Sequence, residues 1–348
     1  LHRVDRRQRQ MCIRDRQCPV VARRRLRQPG RVRLHPLMAR RELGPAALAV
    51  AQAVERMVRG VDRFVVGCSG GPDSLALALA SKWASRRCES GVRVVIVDHQ
   101  LQQGSDEVAE RTRDLLVRRG MDACVRRVDV DADDPDGPEA AARTARRAAL
   151  LDVAGDEPVL LGHTRDDQAE QVLLSLARGS GATSLAGIRP RSGQFWHPLL
   201  EVRRAQTVQA CREWEVEPWQ DPHNGDPRFL RSRVRTELMP VMEEVLGPEV
   251  AASLARSATL LAGEDEVVAR VARMWADEHG VKANELPGLR GVEVGLARRV
   301  VKEWLPQARM VHVDAVLGLL DGPGGAGVDV PGGRVEMRQG TLYLARRL

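Results

Sequence analysis

Several things are missing from this 348-residue chain, and each absence closes off a class of function. No apolar run approaches the roughly 18 residues that a spanning helix needs, so no membrane segment is expected. The six cysteines (Cys12, Cys18, Cys68, Cys88, Cys124 and Cys211) form no C-x-x-C pair. At this length they read as cytosolic thiols, and neither a disulfide framework nor structural zinc is expected. No Gly-Lys-Ser/Thr closes a Walker A loop, and the Gly-rich segment that follows Phe64–Val66 lacks the dinucleotide fingerprint G-x-G-x-x-G. The N-terminal stretch has no apolar core of a secretion signal. A bulk positive charge is missing too, despite a formal net charge of +7. Residues 1–43 hold 14 arginines against 3 acids, and the rest of the chain has 40 basic and 44 acidic residues. Any nucleic-acid surface in the body must therefore come from local clusters. Residues 1–43 are expected to be a disordered or non-native basic leader, with Met38 a natural starting point.

What the chain does have is Ser69-Gly70-Gly71-Pro72-Asp73-Ser74, set between the apolar run Phe64–Val66 and the helical stretch Leu75–Ala80. Small residues let the backbone turn tightly and converge its N–H groups. The helix start adds unpaired donors and a positive dipole end. This combination is a phosphate cradle, and Asp73 belongs in it if a divalent cation accompanies the phosphates. Read structurally, the segment is simply a Gly-rich strand-to-helix turn. Gly67-Cys68-Ser69-Gly70-Gly71 also satisfies the nucleophile-elbow pattern G-x-S-x-G, but no acid and histidine follow it in suitable places.

Strands are expected at 64–66, 92–97, 123–130 and 158–161, alternating with helices at 74–84, 105–119, 139–153 and 166–178. The third strand is less apolar than the others and suits an edge. This alternation predicts a mostly parallel α/β sheet covered on both faces, with ligands beyond the carboxyl ends of its strands. The phosphate loop, Asp98-His99 and Gly162-His163 all fall at that edge. Residues 44–214 form one expected unit, built around the phosphate loop. Residues 215–348 form a smaller, mainly helical one, with helices over 231–244 (broken at Pro240) and 249–279 and a hairpin over 333–346. Trp275 and Trp304, at helical positions, read as core.

A second chemistry-bearing segment is His163-Thr-Arg-Asp166-Asp167-Gln168-Ala-Glu170. Asp167 and Glu170 share a helix face, and Asp166 is placed to cap the helix. Asp167 is a natural partner for Asp73 around Mg²⁺, and His163 is placed to assist phosphoryl or proton transfer. A lone histidine at a strand end is more often only hydrogen-bonded. Arg143 and Arg146, on the helix that opens at Glu139, either face the nucleotide or form a solvated helix face. Arg231, Arg233 and Arg235 either grip phosphate or cytosine edges or form ordinary surface.

Together these blocks resemble the PP-loop ATP pyrophosphatases and, within them, the tRNA(Ile)-lysidine synthetase family. The resemblance rests on the Ser69–Ser74 loop, Val97–Leu101, Glu139–Arg146, Gly162–Glu170, Arg178–Gly181, Pro198–Leu200, Asp221 with Asn224, and Phe229 with Arg231–Pro240. Arg147, Ser232 and Gln171 depart from the family's usual tyrosine, asparagine and threonine. The resemblance implies ATP and Mg²⁺ as cofactors, with tRNA(Ile) bearing a CAU anticodon and free L-lysine as partners. It implies adenylation of the wobble cytidine at its C2 oxygen, followed by attack of lysine at C2. It implies nucleotide contacts from Ser69, Gly70, Gly71, Asp73, Ser74, Asp98, Arg143 and Gly162. Asp73 and Asp167 would hold the metal. Asp73, His163, Asp167, Glu170, Arg143, Arg233 and Arg235 would carry the chemistry, with Glu170 taking the lysine proton. A homodimer and a cytoplasmic location are compatible with this reading. The rival readings are a tRNA thiolase, which wants catalytic or cluster-binding cysteines in a C-x-x-C arrangement that is missing here, and a non-catalytic RNA-binding protein, which would not need the acids.

Overall fold

The described part of the chain opens with helix α1 (Pro45–Val58), which leads into a βα alternation: β1 (Arg63–Cys68), α2 (Pro72–Cys88), β2 (Gly91–Asp98), α3 (Ser105–Arg118), β3 (Asp122–Arg127), α4 (Pro138–Ala154), β4 (Val159–Leu160) and α5 (Arg165–Ala177). The computed structural model describes residues 43–100, 104–130, 137–221, 225–322 and 325–346, without the side chains of 138 and 139. The basic leader, Leu101, the Glu139 side chain and Asn224 lie outside the described residues. A short helix α6 (Ala182–Leu185), a hairpin of β5 (Arg191–Ser192) and β6 (Phe195–Trp196), and α7 (Arg204–Glu213) complete this part.

The six strands are ordered β3-β2-β1-β4-β6-β5. All neighbours run parallel except β5 against β6. The two central strands are apolar on both faces because helices cover both. One face packs against α1, α2 and α7, and its core includes Phe64, Val66, Leu75, Leu77 and Leu199. The other packs Val65, Val95 and Val159 against Leu150 and Ala154 of α4. Helix α2 is buried nearly all round, which explains its Leu-Ala-Leu-Ala-Leu-Ala composition: small residues admit α1 and α7 closely. β3 lies at the sheet edge, as its weaker apolar character predicts.

The second part begins with α8 (Leu230–Arg233), a π-helical turn over Val234–Leu238, α9 (Met239–Leu246) and the 29-residue α10 (Val250–Glu278). The helix expected to break at Pro240 instead restarts there. Pro240 sits in the first turn of α9, where its missing N–H is no loss, and the π turn takes up the change of register. Strand β7 (Glu285–Leu286), α11 (Val294–Trp304), α12 (Met310–Gly318), β8 (Gly327–Val330), β9 (Gly333–Arg338) and β10 (Thr341–Arg346) follow. The C-terminal hairpin is the centre of an antiparallel four-stranded sheet, β7-β10-β9-β8, packed on α11, α12 and the end of α10. Among the described residues no helix is long and apolar enough to cross a membrane.

Candidate active site

The phosphate loop is folded by its own serines. Ser74 Oγ accepts from the Ser69 amide (3.0 Å) and donates to the Gly71 carbonyl (3.1 Å), so its structural duty is to pin the turn. Gly70 has φ +83°, and a Cβ there would stand 2.6 Å from Thr112 Oγ1. Gly162, at the end of β4, packs against the loop from the other side. A Cβ on it would meet the backbone of Asp73 and Ser74 at 3.1 Å. The sequence needs glycine at both places for different reasons, a backbone angle at one and a close approach at the other.

The loop borders a cavity of about 670 Å³ at the carboxyl ends of β1, β2 and β4. Ser69, Gly71, Asp73, Ser74, Asp98, Gly162, His163, Asp167 and Arg235 all line it. Trp219, from the connector after α7, also lines it, and its amide donates to the Gly70 carbonyl at 3.0 Å. Asp98 holds Ser105 Oγ (2.7 Å) and the Gln100 amide (3.0 Å) on one oxygen. Its other oxygen is buried without a hydrogen-bond partner among the described residues.

Arg204, which sequence reasoning missed, organises the acids. Its guanidinium donates to Asp73 Oδ2 (3.1 Å), Asp167 Oδ1 (2.7 Å) and Glu170 Oε1 (3.1 Å), and its amide donates to Asp166 Oδ2 (2.8 Å). Thr207 Oγ1 donates to the other oxygen of Asp73. Arg204 is the first residue of α7, where the helix dipole disfavours a cation. That misplacement is the signal the sequence offered, since only nearby acids make it favourable. Burial pushes the Asp73 carboxyl up, against the pull of Arg204 and Thr207. Burial acts the same way on Asp167, but Arg204 and the Thr164 hydrogen bonds outweigh it and hold that carboxyl below its usual range.

Four expectations change. Thr164, not Asp166, caps α5: it forms a capping box with Asp167, whose Oδ2 accepts from the Thr164 amide and hydroxyl, both at 2.8 Å. Glu170 does not line the cavity. It is 1% exposed, and its two oxygens are engaged by Arg204 and by Arg235 (2.7 and 3.0 Å), with Arg231 3.9 Å away. Arg143 is exposed, and the arginine of that helix that reaches the cavity is Arg146, whose Nε is buried without a partner among the described residues. Arg233 points away as well and pairs with Glu237 on the surface at 3.1 Å.

His163 lies 4.9 Å, centroid to centroid, from His197, whose Nδ1 donates to the Arg189 carbonyl at 2.8 Å. Burial, then the neighbouring His197, pulls the His163 pKa down to about 3. His163 is therefore a neutral ring at physiological pH. An unfolded imidazole takes its proton near pH 6.5, so between there and about 3 the unfolded chain binds the extra proton and stability falls with pH. The wild type is expected to lose melting temperature across that window more steeply than His163→Gln, as measured by thermal unfolding at successive pH values. Parallel curves would contradict the assignment.

Comparison with known proteins agrees with this geometry. The model of the PP-loop domain family matches residues 46–242. The tRNA(Ile)-lysidine synthase of Thermobifida fusca is 45% identical over 270 residues, covering 74% of this chain and 82% of that protein. That of Mycobacterium bovis is 47% identical over 272 residues, covering 74% and 81%. The chain belongs to the tRNA(Ile)-lysidine synthase family. The Rhodococcus erythropolis tRNA(Ile)-lysidine synthase extends the match to 315 residues, at 40% identity and covering 87% and 94%. It therefore takes in much of the C-terminal part as well. Among solved structures, the U34-tRNA thiolase NcsA from Methanococcus maripaludis aligns with a TM-score of 0.52 at 17% identity, over 62% of this chain and 80% of that one. That is a likeness of fold. Chemically the two cysteines nearest the loop do not suit thiolate work, because burial raises Cys68 and pushes Cys211 up to about 12.

Proposed function

We infer that this protein is an ATP-dependent ligase that joins free L-lysine to C2 of the wobble cytidine in the CAU anticodon of tRNA(Ile), forming lysidine. The observation that carries this reading is the 45–47% identity to lysidine synthases over 74% of the chain. In the first step the cytidine O2 attacks the α-phosphorus of ATP, the bond to the bridging oxygen breaks, and pyrophosphate leaves. In the second the lysine amine attacks C2, loses a proton, and AMP departs with the former O2.

The backbone donors of the Ser69–Ser74 loop and the start of α2 suit the pyrophosphate portion of ATP. Asp98, with one oxygen that accepts no hydrogen bond among the described residues and has only the Arg127 guanidinium 3.9 Å away, suits a donor group of the nucleoside. Arg146 and Arg235 supply positive charge to the cavity where negative charge develops. Glu170, its oxygens taken up, serves to orient Arg204 and Arg235 and is not free to receive the lysine proton. Asp73 and Asp167 line the cavity, bridged by Arg204, with Arg235 also 3.5 Å from Asp167. This hard oxygen pair suits Mg²⁺, which takes one or two carboxylates and completes its shell with phosphate oxygens and water. When bound there, Mg²⁺ would neutralise charge on the phosphates. Residues 215–348 would then position the tRNA.

With α-phosphate-labelled ATP and no lysine, label should pass to CAU tRNA(Ile) and be released as AMP when lysine is added. Label appearing on lysine instead, or pyrophosphate release equal with a tRNA whose anticodon begins with uridine, would overturn the order of steps.

A further inference from the structure

A second recess, of about 610 Å³, lies away from the phosphate loop, between the 189–191 segment, α10 and α11. Five of its lining residues are arginines (Arg189, Arg191, Arg270, Arg273 and Arg299), against the two acids Asp265 and Glu266. The body of the chain carries slightly more acidic than basic residues, so this local surplus is not a reflection of bulk charge.

The recess is built around a buried anion. Asp265 of α10 is 7% exposed and accepts from Thr183 Oγ1 (2.7 Å), Arg189 Nη2 (2.5 Å) and Arg299 Nη1 (2.6 Å). One carboxylate thus fixes side chains from α6, the 189–191 segment and α11. It satisfies only part of their donors: Arg189 Nη1 is buried with no partner among the described residues. Arg270 and Arg273 are exposed, three apart on α10, and have no ion-pair or hydrogen-bond partner among the described residues. Arg189 and Arg299 are thus fixed as a positive floor, and the exposed Arg270 and Arg273 forks are at liberty to match phosphate oxygens, which accept two parallel bonds at once.

The recess is also tied to the active site. Ile188 exchanges both backbone groups with the Gln168 side chain (2.6 and 3.1 Å), and Gln168 directly follows Asp167. The Arg189 carbonyl accepts from His197, the ring beside His163. A phosphate held at Arg189 is therefore indexed to the catalytic cavity through one short strap.

We propose that this recess is a backbone-phosphate station for the RNA substrate, holding the tRNA at a point outside the anticodon nucleotides. The proposal rests on the ligase reading for the identity of the RNA. The recess reads phosphate and not bases, so it contributes affinity and register without sequence preference.

The test uses the full chain and unmodified tRNA(Ile) transcript, with the double variant Arg270→Glu/Arg273→Glu, whose side chains are exposed and outside the Asp265 network. Binding measured by fluorescence anisotropy should weaken by at least tenfold. The slope of log affinity against log salt should become shallower by about two, roughly one unit per lost phosphate contact. Glu266→Gln should shift affinity the other way. In turnover, KM for tRNA should rise while kcat and the KM for ATP stay within about twofold. Unchanged tRNA affinity and salt slope in the double variant would overturn the proposal, as would a loss confined to kcat. Because binding is read directly, the outcome stands apart from the ligase reading, which fails only if the wild type does not turn over CAU tRNA.

Discussion

Arg204→Gln is expected to abolish lysidine formation and to lower the stability of the fold. The guanidinium is the common partner of Asp73, Asp167 and Glu170, all largely buried. Removing one member of such a network leaves uncompensated charges, a loss of about 3–5 kcal/mol in comparable buried pairs. Arg235 and Arg231 remain beside Glu170, but no other arginine pairs with Asp73 among the described residues. The sign with pH follows from the lost partner. Without Arg204 the Asp73 carboxyl, already pushed up by burial, rises further, and Asp167 loses the largest pull that holds it down. The variant should then regain stability relative to wild type as pH falls towards 4. Arg204→Lys keeps the charge but lacks the fork that reaches three carboxylates, and should rescue stability in part and activity little. Thermal unfolding between pH 4 and 8, with lysine incorporation at neutral pH, checks both halves. A variant that melts with the wild type and keeps activity within about threefold would contradict the role given to Arg204.

Gly162→Val should remove ATP use with little effect on tRNA binding. Even a single added carbon at this position meets the Asp73 carbonyl carbon and oxygen and the Ser74 nitrogen at 3.1 Å. These are backbone atoms of the helix start proposed to cradle phosphate, and they cannot swing aside as a side-chain end would. Valine adds two further carbons in the same confined space, and the loop must move. A displacement approaching 1 Å at a positioning element costs on the order of 100-fold in rate. Pyrophosphate release should therefore fall at least 100-fold, and tRNA affinity should stay within about threefold. Wild-type pyrophosphate release would contradict the close packing of β4 on the loop. Equal loss of tRNA binding would point to a wider collapse.

Which parts of this site were legible in the sequence follows from how local each signal is. The phosphate loop is one strand, one turn and one helix start, so Ser69–Ser74 declares itself within a few residues. The Gly162–Glu170 segment is similar, and its placement at the edge of a parallel sheet follows from βα alternation alone. Arg204 was overlooked because its one sequence signal, a cation at a helix start, gains meaning only from Asp73, Asp167 and Glu170, held on α2 and α5 and brought together only by the sheet. Glu170 was placed on the correct helix face, but spacing does not reveal burial. Its enclosure by arginines turns an expected proton acceptor into a support. Helical spacing likewise joined Arg143 to Arg146 without showing which one turns inward. In the C-terminal part the hairpin Gly333–Arg346 was readable from alternation. The flanking β7 is two residues long and β8 four, too short to register as strands on their own.

The most direct measurement of the central claim is the incorporation of radiolabelled lysine into tRNA(Ile) transcripts by the purified protein with ATP and Mg²⁺. The account predicts label retained in the CAU transcript and none in an otherwise identical transcript whose anticodon begins with uridine. Label in both, or in neither while the protein is folded and binds ATP, would contradict it.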